Sequence, residues 1–333
     1  MVKYASILSA NSSFFSTRAP KDLTAVFVGA TSGIGLGALR AFAKHTSGAS
    51  PTIFIVGRSQ KTLNNLLGSV TELNSSAKLV PIYAPDLTLI SDAQKAAEEI
   101  AQKASKIDML IMSPGYVSFQ RVESPEGLDR VQAIRYYSRM RFLLTLRPLL
   151  LKAPAPRVIN VLGAGTEGEL WPEDWTLKEH YSIGNAAGAA GSMTTLFFEE
   201  FAKQQGNEKI AIGYTFPGIV GGTGLTLEGL PWWLSPILGW VISPLMKLFG
   251  YSIEEAGERA LFAGTSEQFV SKSQGGEAAA KGSDGTVGSS VYLVHSDSSV
   301  IPGNKALTGL REKKLGKQVW EHTLEVFEKV ERS

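Results

Sequence analysis

The chain has 333 residues, a formal net charge of +2, 44% hydrophobic residues and 19% charged residues. That balance fits one large globular domain and offers no generally basic surface for nucleic acid. There is no cysteine, which excludes disulfides, thiolate metal sites and thiol catalysis. The four histidines, at 45, 180, 295 and 322, show no metal-ligand spacing, so no metal is expected. Residues 1–20 carry Lys3 but no sustained apolar run, so no secretory signal is read. They are expected to form a polar, partly ordered extension of a cytoplasmic protein whose single domain spans 21–333.

The first element is an apolar, β-branched strand, Thr24 to Val28. It runs into Gly29-Ala-Thr31-Ser32-Gly33-Ile34-Gly35 and then a helical pattern over 33–45. Strand, glycine turn and helix is the order that a dinucleotide site requires. Gly29 permits the tight turn, Gly33 admits a pyrophosphate to the backbone, and Gly35 lets the helix pack closely on the strand. The helix N-terminus then offers free N–H groups to the phosphates. A strand at 52–56 ends in Gly57-Arg58-Ser59, and a helix over 60–73 leads to a strand at 78–83. Asp86-Leu87-Thr88 closes that strand, and Ser91 is expected to cap a helix over 91–105. A strand at 109–112 meets Ser113-Pro114-Gly115, followed by a long helical stretch over about 126–150. A strand at 157–162 precedes Gly163-Ala164-Gly165, and a helix over 181–204 precedes a strand at 210–215 and Phe216-Pro217-Gly218. Ser252-Ile-Glu-Glu255 reads as a capping box opening a helix over 252–268. A strand at 290–295 and an amphipathic helix at about 311–331 close the chain as a C-terminal helical extension.

This alternation defines an α/β fold, a doubly wound parallel sheet of Rossmann-like type, with ligands beyond the carboxyl ends of the strands. Two segments depart from it. Residues 229–249, within an insertion over 221–251, are apolar but broken by Pro231, Pro236 and Pro244. They are expected to form a lid over an apolar substrate, with a protein or membrane-surface contact as the second reading and a transmembrane span as the least favoured. Residues 271–290, rich in Ser, Gly, Lys and Glu, read as a solvated linker.

These motifs together resemble the short-chain dehydrogenase/reductase family over about 24–270. Gly29 to Gly35 looks like the family's T-G-x-x-x-G-I-G turn, and Asp86-Leu87 like its adenine-binding pair. Ser113-Pro114-Gly115 stands where the family has N-N-A-G, and Pro217-Gly218 resembles its P-G turn. Tyr181-Ser-Ile-Gly-Asn185 looks like its Y-x-x-x-K motif. The phrases MSPG, RYYSR, VLGAG and HYSxxNA are most similar to the branch found in fungal secondary-metabolism clusters. The resemblance implies a nicotinamide-dependent oxidoreductase in which a tyrosine moves a proton, aided by a lysine, a serine and an asparagine. Here Tyr181 is retained, while Asn185 stands for the lysine, Gly163 for the serine and Arg135 for the asparagine.

Asn185 can still reach a ribose hydroxyl but carries no charge. A cation about 4–5 Å from a phenol is worth roughly 3–4 kcal/mol at an effective dielectric near 20. Either another cation replaces it, with Arg135 as candidate and Arg139 one turn along, or Tyr181 stays protonated. A protonated Tyr181 is an acid for reduction and a poor base for oxidation. The competing reading makes both arginines surface residues of an amphipathic helix. The N–H groups of Gly163 to Gly165 are candidates to bind a substrate oxygen, with Thr166 and Glu167 beside them. Glu167 and Asp174 read as solvated loop charges, His180 as a rim residue, and Phe119, Tyr136 and Tyr137 as packing aromatics rather than pocket walls.

The end of the second strand carries Arg58 and no acidic residue, which favours NADP(H) over NAD(H). Arg58 would clamp the 2′-phosphate, with hydroxyl contacts from Thr31 or Ser32. The function expected is NADP-dependent oxidation or reduction at a secondary alcohol or ketone of an apolar natural-product intermediate. The alternative is a non-redox step (cyclisation, isomerisation or dehydration) on the same fold. The long amphipathic helices also permit a homo-oligomer.

Overall fold

The computed structural model describes residues 1–223, 227–229, 250–276 and 278–332. Its elements in chain order are α1 Tyr4–Ser13, β1 Thr24–Val28, α2 Gly33–His45, β2 Thr52–Gly57, α3 Gln60–Thr71, β3 Lys78–Tyr83 and α4 Ile90–Lys103. There follow β4 Met109–Met112, β5 Val117–Ser118, α5 Arg130–Gln132, α6 Ser138–Leu150, β6 Arg157–Val161, α7 Ile183–Lys203, β7 Ala211–Thr215 and β8 Leu227–Glu228. The chain ends with α8 Ile253–Thr265, β9 Val291–Val294, α9 Lys305–Glu312 and α10 Leu315–Arg332. Seven strands pair in parallel in the order β3-β2-β1-β4-β6-β7-β9, the doubly wound sheet that the alternation implied. The winding reverses between β1 and β4, which opens a crevice beyond their carboxyl ends. The short strands β5 and β8 pair beside it as a separate ribbon.

The central strands β1, β4, β6 and β7 are buried throughout and mostly apolar because helices cover both faces. Val26 and Val28 of β1, with Phe54 and Val56 of β2, face one core layer. Ala25, Phe27, Ile53 and Ile55 face the other. The first layer receives α4, α6, α7 and α10; the second receives α1, α2, α3 and α8.

Several local expectations are corrected. Residues 4–18 are helical, ending in a π-turn over Phe14–Arg18, where a partly ordered extension was expected. Ile7, Asn11 and Phe14 share one face and are buried. Asn11 Nδ2 donates to Glu258 Oε2 at 2.7 Å, and Thr265 Oγ1 donates to Asn11 Oδ1 at 2.5 Å. The stripe is short and half polar, so it is stable only against α8, which lies some 250 residues along the chain and supplies those partners.

Ser91 does not cap α4: Glu126 does, its carboxylate accepting from Ile90 N at 2.6 Å and Ser91 N at 2.9 Å. The long helix starts at Arg130 rather than 126, capped by Asp129, and carries a π-turn over Ala133–Tyr137. Tyr181 precedes α7, whose N-cap is Ser182. Within 271–290, residues 272–276 and 284–287 are exposed, as a solvated loop requires, but Ser271, Ser283 and Ser290 are buried anchors, and Ser283 Oγ donates to Glu199 Oε1 at 2.7 Å. Of the lid expected over 221–251, residues 224–226 and 230–249 lie outside the described residues. Among the described residues, no helix is long and apolar enough to cross a membrane.

Candidate active site at the carboxyl edge of the sheet

Gly29 takes a left-handed φ of +82°, and a Cβ there would stand 2.7 Å from Pro114 N. A Cβ on Gly35 would stand 2.3 Å from Ser113 Oγ and 2.4 Å from the Gly29 carbonyl oxygen. Only glycine at these two places lets α2 start against the β1 and β4 turns. The first turn of α2 holds no acidic residue, and the Ser32 side chain does not cap it. Its N–H groups and the positive end of its dipole therefore face outward unneutralised.

They face a cleft of about 500 Å³. Gly29, Thr31, Ser32, Gly33, Ile34 and Gly35 line it from the first turn and Arg58 from the second. Asp86, Ser113, Pro114, Gly115, Pro217 and Gly218 line it from the turns after β3, β4 and β7. Arg58 is exposed and enters no ion pair among the described residues. Asp86 Oδ2 accepts from Arg130 Nη2 at 2.6 Å, and its Oδ1 accepts from Thr88 N at 2.9 Å and Thr88 Oγ1 at 2.7 Å. Burial opposes ionisation of Asp86, but the Thr88 and Arg130 hydrogen bonds outweigh it and lower the pKa. Thr88, Tyr116, Arg130, Ile134 and Glu228 also line the cleft. Sequence reasoning missed them; only Thr88 and Tyr116, adjacent to recognised motifs, left a local signal.

The four residues read as catalytic lie at the same sheet edge but outside the lining of that cleft. Tyr181 Oη donates to the Ser118 and Gln120 carbonyls, each at 3.2 Å. Asn185 Nδ2 donates to the His180 carbonyl at 2.7 Å. Gly163 N donates to Tyr214 Oη at 3.3 Å, and Thr166 Oγ1 donates back to the Gly163 carbonyl at 2.7 Å. Arg135 Nε and Nη2 both donate to the Tyr116 carbonyl, at 3.2 and 2.9 Å. Burial and the Asp129 carboxylate push the Tyr181 phenol up, while Arg135 and Arg121 pull it down by less. The net shift is upward, so Tyr181 stays protonated. Arg135 is half-buried and Arg139 fully buried; neither is a surface residue.

Glu167 and Asp174 are buried, each 7% exposed, where solvated charges were expected. Glu167 accepts from Gly165 N at 3.1 Å, Thr195 Oγ1 at 2.9 Å and Asn304 Nδ2 at 2.9 Å. Asp174 accepts from the backbone N–H groups of Lys178, Glu179 and His180 and from His180 Nδ1 at 2.9 Å. His180, half-buried, stacks on Trp171 with centroids 4.8 Å apart. Burial raises the Asp174 pKa, but those donors outweigh it and the net shift is downward. Glu167 is buried where donors from its own loop, α7 and the segment before α9 converge on it. Asp174 is buried where the turn over residues 178–180 folds back onto it.

Residues 23–229 match the family of short chain dehydrogenases. The chain is 36% identical to Oxidoreductase AN1596 of Emericella nidulans, across 92% of this chain and 93% of that protein. It is 31% identical to Oxidoreductase andH of Emericella variicolor, across 93% of this chain and 92% of that protein. Among solved structures, the RhlG/NADP active-site complex of Pseudomonas aeruginosa is similar in fold. Its TM-score is 0.54 at 17% identity, covering 78% of this chain and 94% of that one.

Proposed function

Because this chain belongs to the short-chain dehydrogenase family and is similar over its length to proteins named oxidoreductases, we propose that it transfers hydride between NADP(H) and a secondary alcohol or ketone of an apolar small molecule. The observation that carries the cofactor choice is Arg58, exposed at the end of β2, unpaired among the described residues and lining the cleft with the α2 N-terminus. A guanidinium in that place suits a 2′-phosphate, and no carboxylate stands at the β2 end to hold a 2′-hydroxyl. The glycine turn at 29–35 fits a pyrophosphate, since it lines the cleft at the N-terminus of α2, where no acidic residue or side-chain cap occupies the free N–H groups. Apolar substrate chemistry, of the kind made in fungal secondary metabolism, is favoured by the fungal relatives and by the tryptophan-rich stretch at 229–249.

When bound, the nicotinamide supplies or accepts the hydride. The chain's own part is to hold a proton at Tyr181 Oη, which its raised pKa retains through neutrality. In reduction that proton passes to the carbonyl oxygen of the substrate, and the Arg135 charge offsets the phenolate left behind. Gly163 and Asn185 shape the same edge without supplying charge.

The test is a fluorescence titration with NADPH and NADH. Arg58→Ala is expected to weaken NADPH binding about 10- to 100-fold and leave NADH unchanged. Equal affinity for both nucleotides in the parent protein overturns the NADP(H) preference. One observation favours a non-redox reaction instead: Tyr181 Oη and Asn185 Nδ2 are both engaged by backbone carbonyls. Conversion of substrate without NADPH consumption would select that reading.

A further inference from the structure

Arg139 is 1% exposed, yet no carboxylate pairs with it among the described residues. Its Nη1 donates to the Met112 carbonyl at 3.2 Å, Asn160 Oδ1 at 2.7 Å and the Val161 carbonyl at 3.0 Å. Its Nη2 donates to the Pro114 carbonyl, and its Nε to the Ile134 carbonyl at 3.4 Å. All five acceptors are uncharged. Desolvation brings its pKa down to about 9, and Arg135 nearby adds like charge. An apolar side chain of similar length would fill the space without that cost. What the guanidinium adds is its set of fixed donors, and these go to the ends of β4 and β6 and to the turn beyond β4.

The turn is held at alternate carbonyls. Arg139 takes those of Met112 and Pro114, and Arg135 takes that of Tyr116. A trans peptide points its N–H opposite to its C=O. With the Pro114 carbonyl turned back onto Arg139, the Gly115 N–H points the other way. Gly115 lines the cleft, and its N–H finds no hydrogen-bond partner among the described residues. A Cβ built on Gly115 would meet nothing nearer than 3.9 Å, so the backbone there is open to a ligand.

We propose that Arg139 is a positioning residue of the cofactor cleft: by holding the Pro114 carbonyl from behind, it aims the Gly115 N–H at an acceptor oxygen of the bound nucleotide. This rests on the nucleotide reading of the cleft. Arg58 and Asp86 follow β2 and β3, on one side of β1, and this turn follows β4, on the other. The Gly115 N–H therefore serves the end of the ligand remote from the 2′-phosphate.

That division sets the test. Full-length parent protein, Arg139→Met and Arg139→Lys are titrated with NADPH and with adenosine 2′,5′-bisphosphate, which reaches only the Arg58 side. Arg139→Met is expected to weaken NADPH binding about tenfold or more and to change the bisphosphate by less than about twofold. Arg139→Lys falls between, since one ammonium cannot reach all of those carbonyls at once. Gly115→Pro removes the N–H while leaving Arg139 in place and is expected to reproduce the selective loss, should Arg139→Met fail to fold. Parallel loss of both ligands, or unchanged NADPH affinity in folded variants, overturns the proposal. Absence of NADPH binding by the parent protein overturns the nucleotide reading itself, and is seen before any variant is made.

Discussion

Tyr181 shows how far a single residue's chemistry follows from its motif and how far from its surroundings. The replacement of a lysine by Asn185 leaves two outcomes open, a substitute cation or a protonated phenol. The structure has Arg135 within electrostatic reach, but burial and Asp129 outweigh it. An ordinary phenol titrates near 10, and this one titrates higher. Under the proposed mechanism, kcat/KM for NADPH-dependent ketone reduction should therefore carry no Tyr181 limb between about pH 6 and 9, and should fall only above about 10. Tyr181→Phe should lower it by about 100-fold or more. A limb near neutrality that Tyr181→Phe abolishes would contradict this assignment. Arg139, Glu167 and Asp174 teach the complementary lesson. For Arg139 and Glu167 nothing nearby in the sequence marks burial, because their partners lie on β4, β6, α7 and the segment leading into α9. Asp174 instead closes a local turn on residues 178–180.

At the scale of elements, the strands and the glycine turn were legible because apolar runs and glycines act through near neighbours. Helix α2 spans Gly33–His45, as its periodicity indicated. Helix α4 starts at Ile90 because Glu126, from a neighbouring loop, does the capping. The long helix starts at Arg130 because Asp129, the residue just before it, is its N-cap, a local signal that apolar periodicity alone overlooks. The close contact between α2 and α8 was not legible at all. A Cβ on Gly257 of α8 would stand 2.1 Å from the Gly37 carbonyl carbon of α2, and one on Gly37 would stand 2.1 Å from the Ile253 carbonyl oxygen. These are backbone collisions, which side-chain rotation cannot relieve. Gly257→Ala should therefore destabilise the fold by about 1–3 kcal/mol despite the better helix propensity of alanine. Chemical denaturation measures this; an unchanged midpoint would show that the helices separate at little cost.

For the whole molecule, the C-terminal extension decides what the long central helices face. The sequence left them available for a second copy of the chain. Helix α10 packs on part of them: Trp320 stacks on Phe197 with centroids 4.8 Å apart, and Tyr136 Oη bonds Thr323 Oγ1 at 2.6 Å. Tyr137 Oη lies 2.8 Å from His322 Nε2, whose ring stacks on Trp175. Burial lowers the His322 pKa to about 4. The folded state therefore keeps His322 neutral, while the unfolded chain protonates it near 6.5. The stability it contributes is complete above about 6.5 and is lost as pH falls toward about 4. Melting temperatures should drop across that window in the parent protein and drop less in His322→Gln. Identical profiles would place the acid sensitivity elsewhere.

The sequence by itself determined the sheet, its winding and the turns that line the cleft, because these depend on period, glycine and the order of elements along the chain. It also supplied the family, through motifs that are contiguous. Only the tertiary structure decided that Arg139 is a buried clamp, that Glu167 and Asp174 organise loops, that residues 4–18 dock as a helix, and that α10 covers α7. Apart from the local Asp174 turn, each of these depends on partners distant in the chain, and a polar side chain's burial is settled by whether the fold brings those partners within hydrogen-bonding distance.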